Sequence, residues 1–344
     1  MFSFFKKSKQ IHTASINNQA VEIRPGETLL LGALREGIAF PNSCRVGGCA
    51  TCKCKLVSGK VKELTDSSYI LSADELKQGY VLACQSVPLN DVAIEVELAA
   101  GPAMQTLKGR VAAQRKLTHD ITELQVQLDQ ALDYRAGQFA DISLQSLPGI
   151  SRSYSFATPP QADGVCTFYV RKVPEGVFSG RINECDLTGE AMELRGPCGD
   201  FWLRPATTPM LLIAGGSGLA PIMAILREAQ KQAAHRPVTL LFGARTQADL
   251  YVLDEIDALS KTWREHFDFI PVLSAEPADS DWSGARGMVT EQLDSALHSG
   301  AHAYLCGPPP MVDAAERQLL QMGLEKQHIH ADRFTTQADL AAAS

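Results

Sequence analysis

The sequence predicts a multidomain protein of the α+β and α/β classes, and three observations lead to this prediction. Its 344 residues exceed what one hydrophobic core usually organises, so two or three domains are expected. Short alternating strands come first, initially around one helix and then in a closely spaced series. After Pro205, continuous apolar runs alternate with helical segments, which indicates a parallel sheet.

The composition narrows the class of protein. With 45% hydrophobic and 21% charged residues, the chain has the composition of a folded protein, and its formal net charge of −7 argues against a nucleic-acid binder. No apolar stretch has the length of a membrane span. The apolar part of the opening MFSFFKKSKQ is too short for a signal peptide, so we expect residues 1–9 to be flexible.

Cysteine usage predicts a cytoplasmic, reducing environment. Nine cysteines is an odd number, and a chain of this size needs no covalent cross-links, so a disulfide scaffold is not expected.

The first domain is expected over residues 1–98. IHTASINNQAVEI alternates around an Asn-Asn turn as two strands do, and the next segment places four apolar side chains at helical positions. These are Leu30, Leu31, Leu34 and Ile38.

Four cysteines follow within SCRVGGCATCKCK, and disulfides, a zinc site, a redox motif or an iron–sulfur cluster could explain them. Cys44, Cys49 and Cys52 read C-x4-C-x2-C, and Cys84 follows in YVLACQS. A zinc ribbon needs a second C-x2-C, and a thioredoxin-type motif begins a helix, whereas this one lies in a glycine-rich loop. The spacing favours four thiolates holding a plant-type [2Fe-2S] cluster, with Cys54 as a core residue.

Residues 99–108 read as a linker, and residues 109–205 as an antiparallel six-stranded barrel. AAGPAMQTLKG is small, polar and without periodicity. The runs that follow, from GRVAAQRKLT to EAMELRGP, are short strands broken by turn residues.

Residues 206–335 read as a Rossmann-like α/β domain, with a tail at 336–344. MLLIAGG is a buried parallel strand, and the next helix has Pro221 in its first turn. Among the eight histidines, His298 and His302 have metal-pair spacing, but Gly300 weakens the helix such a pair needs. His328 and His330 alternate like strand residues, and we assign no histidine a ligand role.

Two resemblances to known families predict which cofactors these domains bind. Residues 10–98 resemble a plant-type ferredoxin, a β-grasp fold. The segment RSYSFAT resembles the R-x-Y-S signature of the ferredoxin–NADP reductase superfamily, with GQFADISL upstream as in that superfamily. This implies that Arg152 neutralises the FAD pyrophosphate, Tyr154 stacks on the flavin and Ser155 bonds near its reactive nitrogen.

Further flavin contacts follow from the same resemblance. YVRK and EGVFSG match segments that contact the ribityl chain and the diphosphate. The implied residues are Tyr169, Val170, Arg171, Gly176 and Ser179.

The predicted nucleotide contacts rest partly on a sequence pattern and partly on the family resemblance. IAGGSGLAP is a strand, a glycine turn and a helix, which suits a pyrophosphate, and CGPPPM resembles the superfamily's second nucleotide loop. The implied residues are Gly215, Gly216, Ser217, Gly218, Cys306, Gly307 and Pro308. Phe334 in HADRF resembles the aromatic residue that shields the flavin in bacterial members.

The nucleotide is expected to be NADH. A site for the 2′-phosphate of NADPH usually clusters Arg, Ser or Lys after the second strand of this domain. GARTQADLY instead has Arg245 together with Asp249 and no second cation nearby.

The order of the domains completes the resemblance. Residues 10–335 resemble the NADH-dependent reductases of bacterial multicomponent oxygenases, of the di-iron or Rieske kind. That family passes electrons from NADH through FAD and the [2Fe-2S] cluster to an oxygenase, hydroxylase or ferredoxin partner. Ser155 and Cys306 would align the hydride transfer, and we expect a monomer.

The identity of the acceptor stays open. The same electron chain could serve a membrane desaturase, an alkyl hydroxylase or a deoxysugar-forming enzyme, with the reductase peripheral to a membrane partner. A free-standing diaphorase would also fit the sequence, as would an electron-transfer module with an inert nucleotide domain.

Overall fold

Two compact units make up the structure, which is a computed structural model. Of the described residues, unit 1 contains those from Gln10 to Met104 together with Cys198–Asp200, and unit 2 contains those from Gln105 to Pro197 and from Phe201 to Phe334. The described residues are 10–42, 45–47, 51–71, 73–96, 102, 104–234 and 236–334. Among them, no helix combines the length and apolarity required to cross a membrane.

The first domain is built on a five-stranded sheet in the order β2-β1-β7-β3-β5, beside a two-stranded β4–β6 sheet. Its strands are β1 His12–Ile16, β2 Gln19–Ile23, β3 Lys53–Ser58, β4 Val61–Glu63, β5 Tyr80–Leu82, β6 Ser86–Pro88 and β7 Val92–Glu95. Its helices are α1 Leu29–Arg35 and α2 Ala73–Lys77.

Helix α1 shows where the periodicity argument was wrong. Leu29, Leu30, Ala33 and Leu34 are buried against the sheet, whereas Leu31 is 51% exposed because it lies beside that stripe. Ile38 is buried, but it follows the end of the helix at Arg35.

The second domain is the predicted six-stranded antiparallel barrel, which is confirmed. The strand order is β11-β10-β13-β8-β9-β12, and a bridge between Phe156 and Phe168 nearly closes it. The elements are β8 Gln105–Lys116, β9 Ile121–Leu128, β10 Phe139–Leu144, β11 Ser151–Ser155, β12 Val165–Arg171, β13 Ala191–Cys198 and α3 Val177–Glu184.

The barrel starts earlier than predicted. Strand β8 begins at Gln105 rather than at residue 109, because Gln105–Lys108 pair with the end of β13. The last residues of the predicted linker therefore belong to the barrel.

The third domain has a six-stranded, all-parallel sheet in the order β17-β16-β15-β14-β18-β19. Its strands are β14 Met210–Gly215, β15 Val238–Ala244, β16 Phe267–Leu273, β17 Ala285–Arg286, β18 His302–Gly307 and β19 Ile329–Arg333. Its helices are α4 Leu219–Lys231, α5 Leu253–Thr262, α6 Leu293–Ala296 and α7 Pro309–Gln321. The chain reverses its order of strands between β14 and β18, so the carboxyl ends of these two strands border the expected ligand crevice.

Short 3-10 turns complete the description. They span Ser67–Tyr69, Ala83–Gln85, Gly216–Gly218, Gln247–Asp249, Val289–Gln292 and Lys326–His328.

The barrel and the parallel-sheet domain share one hydrophobic core within unit 2. Ile121, Ala157 and Tyr169 of the barrel pack in the same cluster as Leu219 and Tyr251 of the third domain. This shared core places the turn after β14 beside the end of barrel strand β12.

Candidate cofactor sites

Cys52 and Cys84 come together as the cysteine spacing predicts. Cys52 directly precedes β3, and Cys84 lies in the turn after β5; both are buried. The backbone N–H of Cys84 donates to Cys52 Sγ at 3.4 Å, and Gln85 Nε2 lies 3.7 Å from Cys84 Sγ. N–H groups aimed at sulfur suit cluster-bound thiolates. The other two predicted ligands, Cys44 and Cys49, lie outside the described residues.

Gly47 occupies a position that requires a glycine, and Cys54 belongs to the core. Gly47 has φ of +83°, and a Cβ there would lie 2.8 Å from Gln85 Cγ, so a larger residue does not fit. Cys54 is 1% exposed, and burial raises the pKa of its thiol to about 12. It therefore remains an uncharged packing residue.

The predicted flavin segment occupies β11. Ser155 is buried, Arg152 and Tyr154 are half-buried, and the Tyr154 ring packs against Phe178 of α3 with centroids 5.9 Å apart. Burial raises the pKa of the Tyr154 hydroxyl, so it stays protonated. An aromatic face and a hydroxyl on one strand suit a flavin.

The start of helix α3 forms a tight turn. Gly176 is its N-cap, and a Cβ there would lie 2.6 Å from Ser179 Oγ. Ser179 Oγ accepts from the N–H of Val173 at 3.0 Å, and Asn183 Nδ2 donates to the carbonyl of Val170 at 3.1 Å. These bonds hold the helix N-terminus next to the end of β12, an arrangement that suits a diphosphate.

The three residues predicted at the end of β12 differ in their surroundings. Tyr169 and Val170 are buried, and the Tyr169 ring meets Tyr251 edge-on at 5.6 Å inside the shared core. Any flavin contact of these two residues would therefore use their backbone. The Arg171 side chain is 38% exposed.

The turn after β14 has the close packing that a dinucleotide site needs. A Cβ on Gly218 would lie 2.2 Å from the carbonyl oxygen of Cys306, and one on Gly215 would lie 2.6 Å from Met311 Sδ. Gly216 has φ of +55°, and its carbonyl accepts from the Tyr251 hydroxyl at 2.9 Å. Ser217 lies between these glycines, so the backbone is open to a pyrophosphate.

The second predicted loop closes over the same turn. Cys306 is fully buried, and burial, with the nearby Asp332 carboxylate, raises the pKa of its thiol well above the ordinary value. Gly307 and Pro308 follow it, and the N–H of Phe334 donates to the carbonyl of Gly307 at 2.9 Å. The half-buried Phe334 packs against the shared core. The structure thus places Phe334 beside the Cys306 loop, and its role as a shield of the flavin stays a prediction.

Arg245 lies in a charged cluster that the sequence did not reveal. Its Nη2 is 3.1 Å from Asp249 Oδ1, 3.3 Å from Asp120 Oδ2 and 3.5 Å from His119 Nε2. The two acids and the histidine are close enough to hold a metal ion. We assign none, because Arg245 and Arg171 already neutralise both carboxylates. Asp120 lies far from Arg245 in sequence, so no local motif indicated the contact.

Asp249 is held firmly in this cluster. Burial alone would raise its pKa, but hydrogen bonds from Thr246 and the charge of Arg245 lower the pKa below its ordinary value. A fixed carboxylate therefore stands beside the arginine that could otherwise bind a 2′-phosphate.

Comparisons with protein families identify the types of domain in the chain. Three family models match the chain: a 2Fe-2S iron-sulfur cluster binding domain over residues 14–89, an oxidoreductase FAD-binding domain over 108–202 and an oxidoreductase NAD-binding domain over 212–317. The domains and sites together define an oxidoreductase that binds NAD, FAD and a 2Fe-2S cluster.

Related proteins match over nearly the whole chain. The xylene/toluene monooxygenase electron transfer component XylA of Pseudomonas putida is 44% identical, with 97% of this chain and 98% of that protein covered. The phenol 2-monooxygenase reductase component DmpP of Pseudomonas sp. (strain CF600) is 34% identical, with 96% of each covered. The crystal structure of the Amycolatopsis cytochrome P450 reductase GcoB is 34% identical, covers 97% of this chain and 100% of its own, and has a TM-score of 0.79.

The chain therefore belongs to the family of electron-transfer reductase components of oxygenase systems. The predicted fold class, cofactor set and enzyme class are confirmed. The residue-level assignments stay predictions.

Proposed function

We propose that this protein passes electrons from NADH through FAD and the [2Fe-2S] cluster to the oxygenase or hydroxylase component of a multicomponent system. The observation that carries the proposal is the joint presence of a buried Cys52–Cys84 pair and a Gly218 turn packed on Cys306, in a chain that aligns end to end with such reductases.

The residues divide into three roles. Cys44, Cys49, Cys52 and Cys84 hold the cluster, Arg152, Tyr154, Ser155 and the start of α3 hold FAD, and the two glycine loops hold NADH. When bound, FAD would supply the conversion of one hydride, which carries two electrons, into single electrons, and the cluster would supply a one-electron carrier. Ser155 and Cys306 orient rather than exchange protons, because hydride transfer needs alignment above all.

The nucleotide is NADH rather than NADPH. The carboxylate oxygens of Asp249 and Asp120 lie 3.1 and 3.3 Å from Arg245 Nη2, so both form ion pairs with this guanidinium. A 2′-phosphate would have to displace one of them and would meet the charge of the other. A ratio of kcat/KM that favours NADPH would contradict this assignment.

The proposed acceptor is an oxygenase-type protein. This proposal is supported by the similarity of the chain to electron-transfer and reductase components of monooxygenases. We propose that the chain works as a monomer in the cytoplasm, where a reducing environment preserves cluster thiolates. Multi-angle light scattering tests the oligomeric state.

The decisive experiment separates the cluster from the flavin. Cys84→Ser is expected to abolish NADH-dependent cytochrome c reduction while ferricyanide reduction, which flavin alone can support, survives. Cys54→Ala is the matched control, since it changes a buried cysteine of the same domain that has a packing role.

Each competing function gives a different result. A free-standing diaphorase would keep cytochrome c reduction after Cys84→Ser, and a module with an inert nucleotide domain would show no NADH oxidation even as wild type.

A further inference from the structure

The amino-terminal edge of the parallel sheet collects polar and basic side chains from four neighbouring strands. Strands β15, β14, β18 and β19 lie side by side in that order and run in the same direction, so all four begin at this edge. The side chains belong to Thr208 before β14, Arg236 before β15, His302 at the start of β18, and His328 and His330 at the start of β19. The nucleotide turn follows the opposite end of β14, so this edge is separate from the cofactor sites described above.

Arg236 carries a buried charge at this edge. It is 2% exposed, its Nε donates to the carbonyl of Thr208 at 2.5 Å, and its Nη1 donates to the carbonyl of Arg204 at 3.3 Å. Its Nη2 is buried and has no hydrogen-bond partner, and no carboxylate among the described residues forms an ion pair with the guanidinium. A buried cation without a counter-charge is strongly destabilising, so this position favours an anion.

Three further polar atoms at the same edge also lack partners. Thr208 Oγ1, His302 Nδ1 and His330 Nε2 are buried without hydrogen bonds. Their segments are adjacent, since the N–H of His302 donates to the carbonyl of Pro209 at 2.9 Å, and the rings of His302 and His330 lie 5.7 Å apart between centroids. Because buried polar groups are normally hydrogen-bonded, four such atoms at one edge indicate a ligand with several acceptor atoms.

The charges that act on these histidines are all positive. Burial lowers the pKa of His302, and the charges of Arg236 and His328 lower it further. Burial also lowers the pKa of His330 to about 3, together with the charges of Arg204 and of the other groups of this edge. An anion among these groups would compensate the cations and accept hydrogen bonds from the unpartnered nitrogens.

We propose that Arg236, Thr208, His302 and His330 line a binding site for a single oxyanion of the phosphate class. A tetrahedral dianion has four acceptor oxygens that diverge in space, which suits donors that come from four different segments. A carboxylate has two oxygens in one plane and a single charge, so it would leave more of these donors without partners. The site goes beyond the proposed electron transfer and does not rest on it.

Calorimetry with inorganic phosphate tests the site on holoprotein that contains FAD and the cluster and is saturated with NAD+. The bound dinucleotides occupy their own pyrophosphate sites, so phosphate is taken up only by a further site. We expect saturable binding of phosphate. Acetate is expected to bind at least about tenfold more weakly, because it lacks the second charge and the additional oxygens.

Variants of the lining residues locate the site. Thr208→Val keeps the shape of the side chain and is expected to raise the dissociation constant for phosphate about fivefold, the effect of losing one hydrogen bond; His302→Phe is expected to do the same. Arg236→Met is expected to raise it at least about tenfold, because a charged donor is lost. Arg317→Gln, at an exposed position of α7, is the control and is expected to leave it unchanged.

Three results would overturn the proposal. They are no uptake of phosphate by the NAD+-saturated wild type, binding of acetate as tight as that of phosphate, and an unchanged dissociation constant in both Thr208→Val and His302→Phe. The last two variants keep the test decisive even if Arg236→Met fails to fold. None of these substitutions is expected to change NADH oxidation, so a failure of this site is distinguishable from a failure of the proposed electron transfer.

Discussion

Gly218 illustrates the steric limits at the nucleotide turn. Its missing side chain lets the turn approach the backbone of β18, where a Cβ would lie 2.2 Å from the carbonyl oxygen of Cys306 and 2.8 Å from the nitrogen of Gly307. Both neighbours are backbone atoms, which cannot rotate away. The glycine is therefore required for the close contact between the two loops.

Gly218→Ala is expected to separate the two loops. We expect the free energy of unfolding to fall by about 1–3 kcal/mol, as for overpacking elsewhere, and NADH oxidation to fall at least about tenfold while FAD stays bound. Denaturant unfolding and steady-state kinetics measure these effects.

Gly180→Ala is the matched control for this variant. Gly180 lies in helix α3, where a Cβ would meet only the flexible Glu184 side chain at 3.9 Å. Unchanged kinetics in Gly218→Ala would show that the close approach does not shape the site.

At the scale of elements, β18, β19 and the 3-10 turn before β19 carry a stack of imidazoles away from the glycine loops. The His302 ring lies 4.5 Å from that of His328 and 5.7 Å from that of His330, and Tyr304 lies 4.9 Å from His330, all between centroids. His302 Nδ1 and His330 Nε2 are buried without hydrogen-bond partners. The stack therefore favours neutral rings.

This stack predicts acid sensitivity. Burial, then the charges of Arg204 and the neighbouring histidines, lower the pKa of His330 from 6.5 to about 3, and burial with Arg236 lowers that of His302. As the pH falls, these histidines therefore take up protons in the unfolded state before they do so in the folded state. The free energy of unfolding is highest above pH 6.5 and decreases as the pH drops towards 3. We expect a loss on the order of 2 kcal/mol between pH 6.5 and pH 5, measured by urea unfolding.

Substitution of a stacked ring tests whether the histidines cause the predicted pH dependence, which is the slope of the free energy of unfolding against pH. His330→Phe is expected to flatten it, whereas His298→Gln, at an exposed position, is expected to leave it unchanged. A slope that persists in His330→Phe would assign the acid sensitivity to other groups.

At the scale of the whole molecule, Arg227 ties the two domains of unit 2 together. It extends from α4, donates to the carbonyl of Ala157 in the barrel and pairs with Glu255 of α5. Arg115 of β8 pairs with Glu123 and approaches Glu255. The barrel and the nucleotide domain thus share polar links as well as a core.

Arg227→Met is expected to lower the free energy of unfolding of unit 2 by about 2 kcal/mol, because it leaves the Ala157 carbonyl without its donor. The effect is moderate because Glu255 is 39% exposed and regains water. Calorimetry measures the loss, and visible absorbance of the cluster follows the ferredoxin domain separately.

Arg317→Met, at an exposed position of α7, is the control. An equal loss in both variants, or a shift in cluster bleaching alone, would contradict the bridging role of Arg227.

Local chemistry explains what the sequence determined about this protein. Cysteine spacing, glycine turns and strand periods depend on near neighbours, so they indicated the order of the domains, the cluster and the nucleotide turn. The resemblance to known families added FAD and the electron-transfer class. The meeting of Cys52 with Cys84 followed from such a motif.

Only the tertiary structure decided contacts between distant segments. It placed Arg171 at Gly216, joined Asp120 to Arg245, buried the Tyr169 ring and exposed Leu31. Side-chain direction and domain packing set these contacts, and neither is encoded in the spacing of residues along the chain.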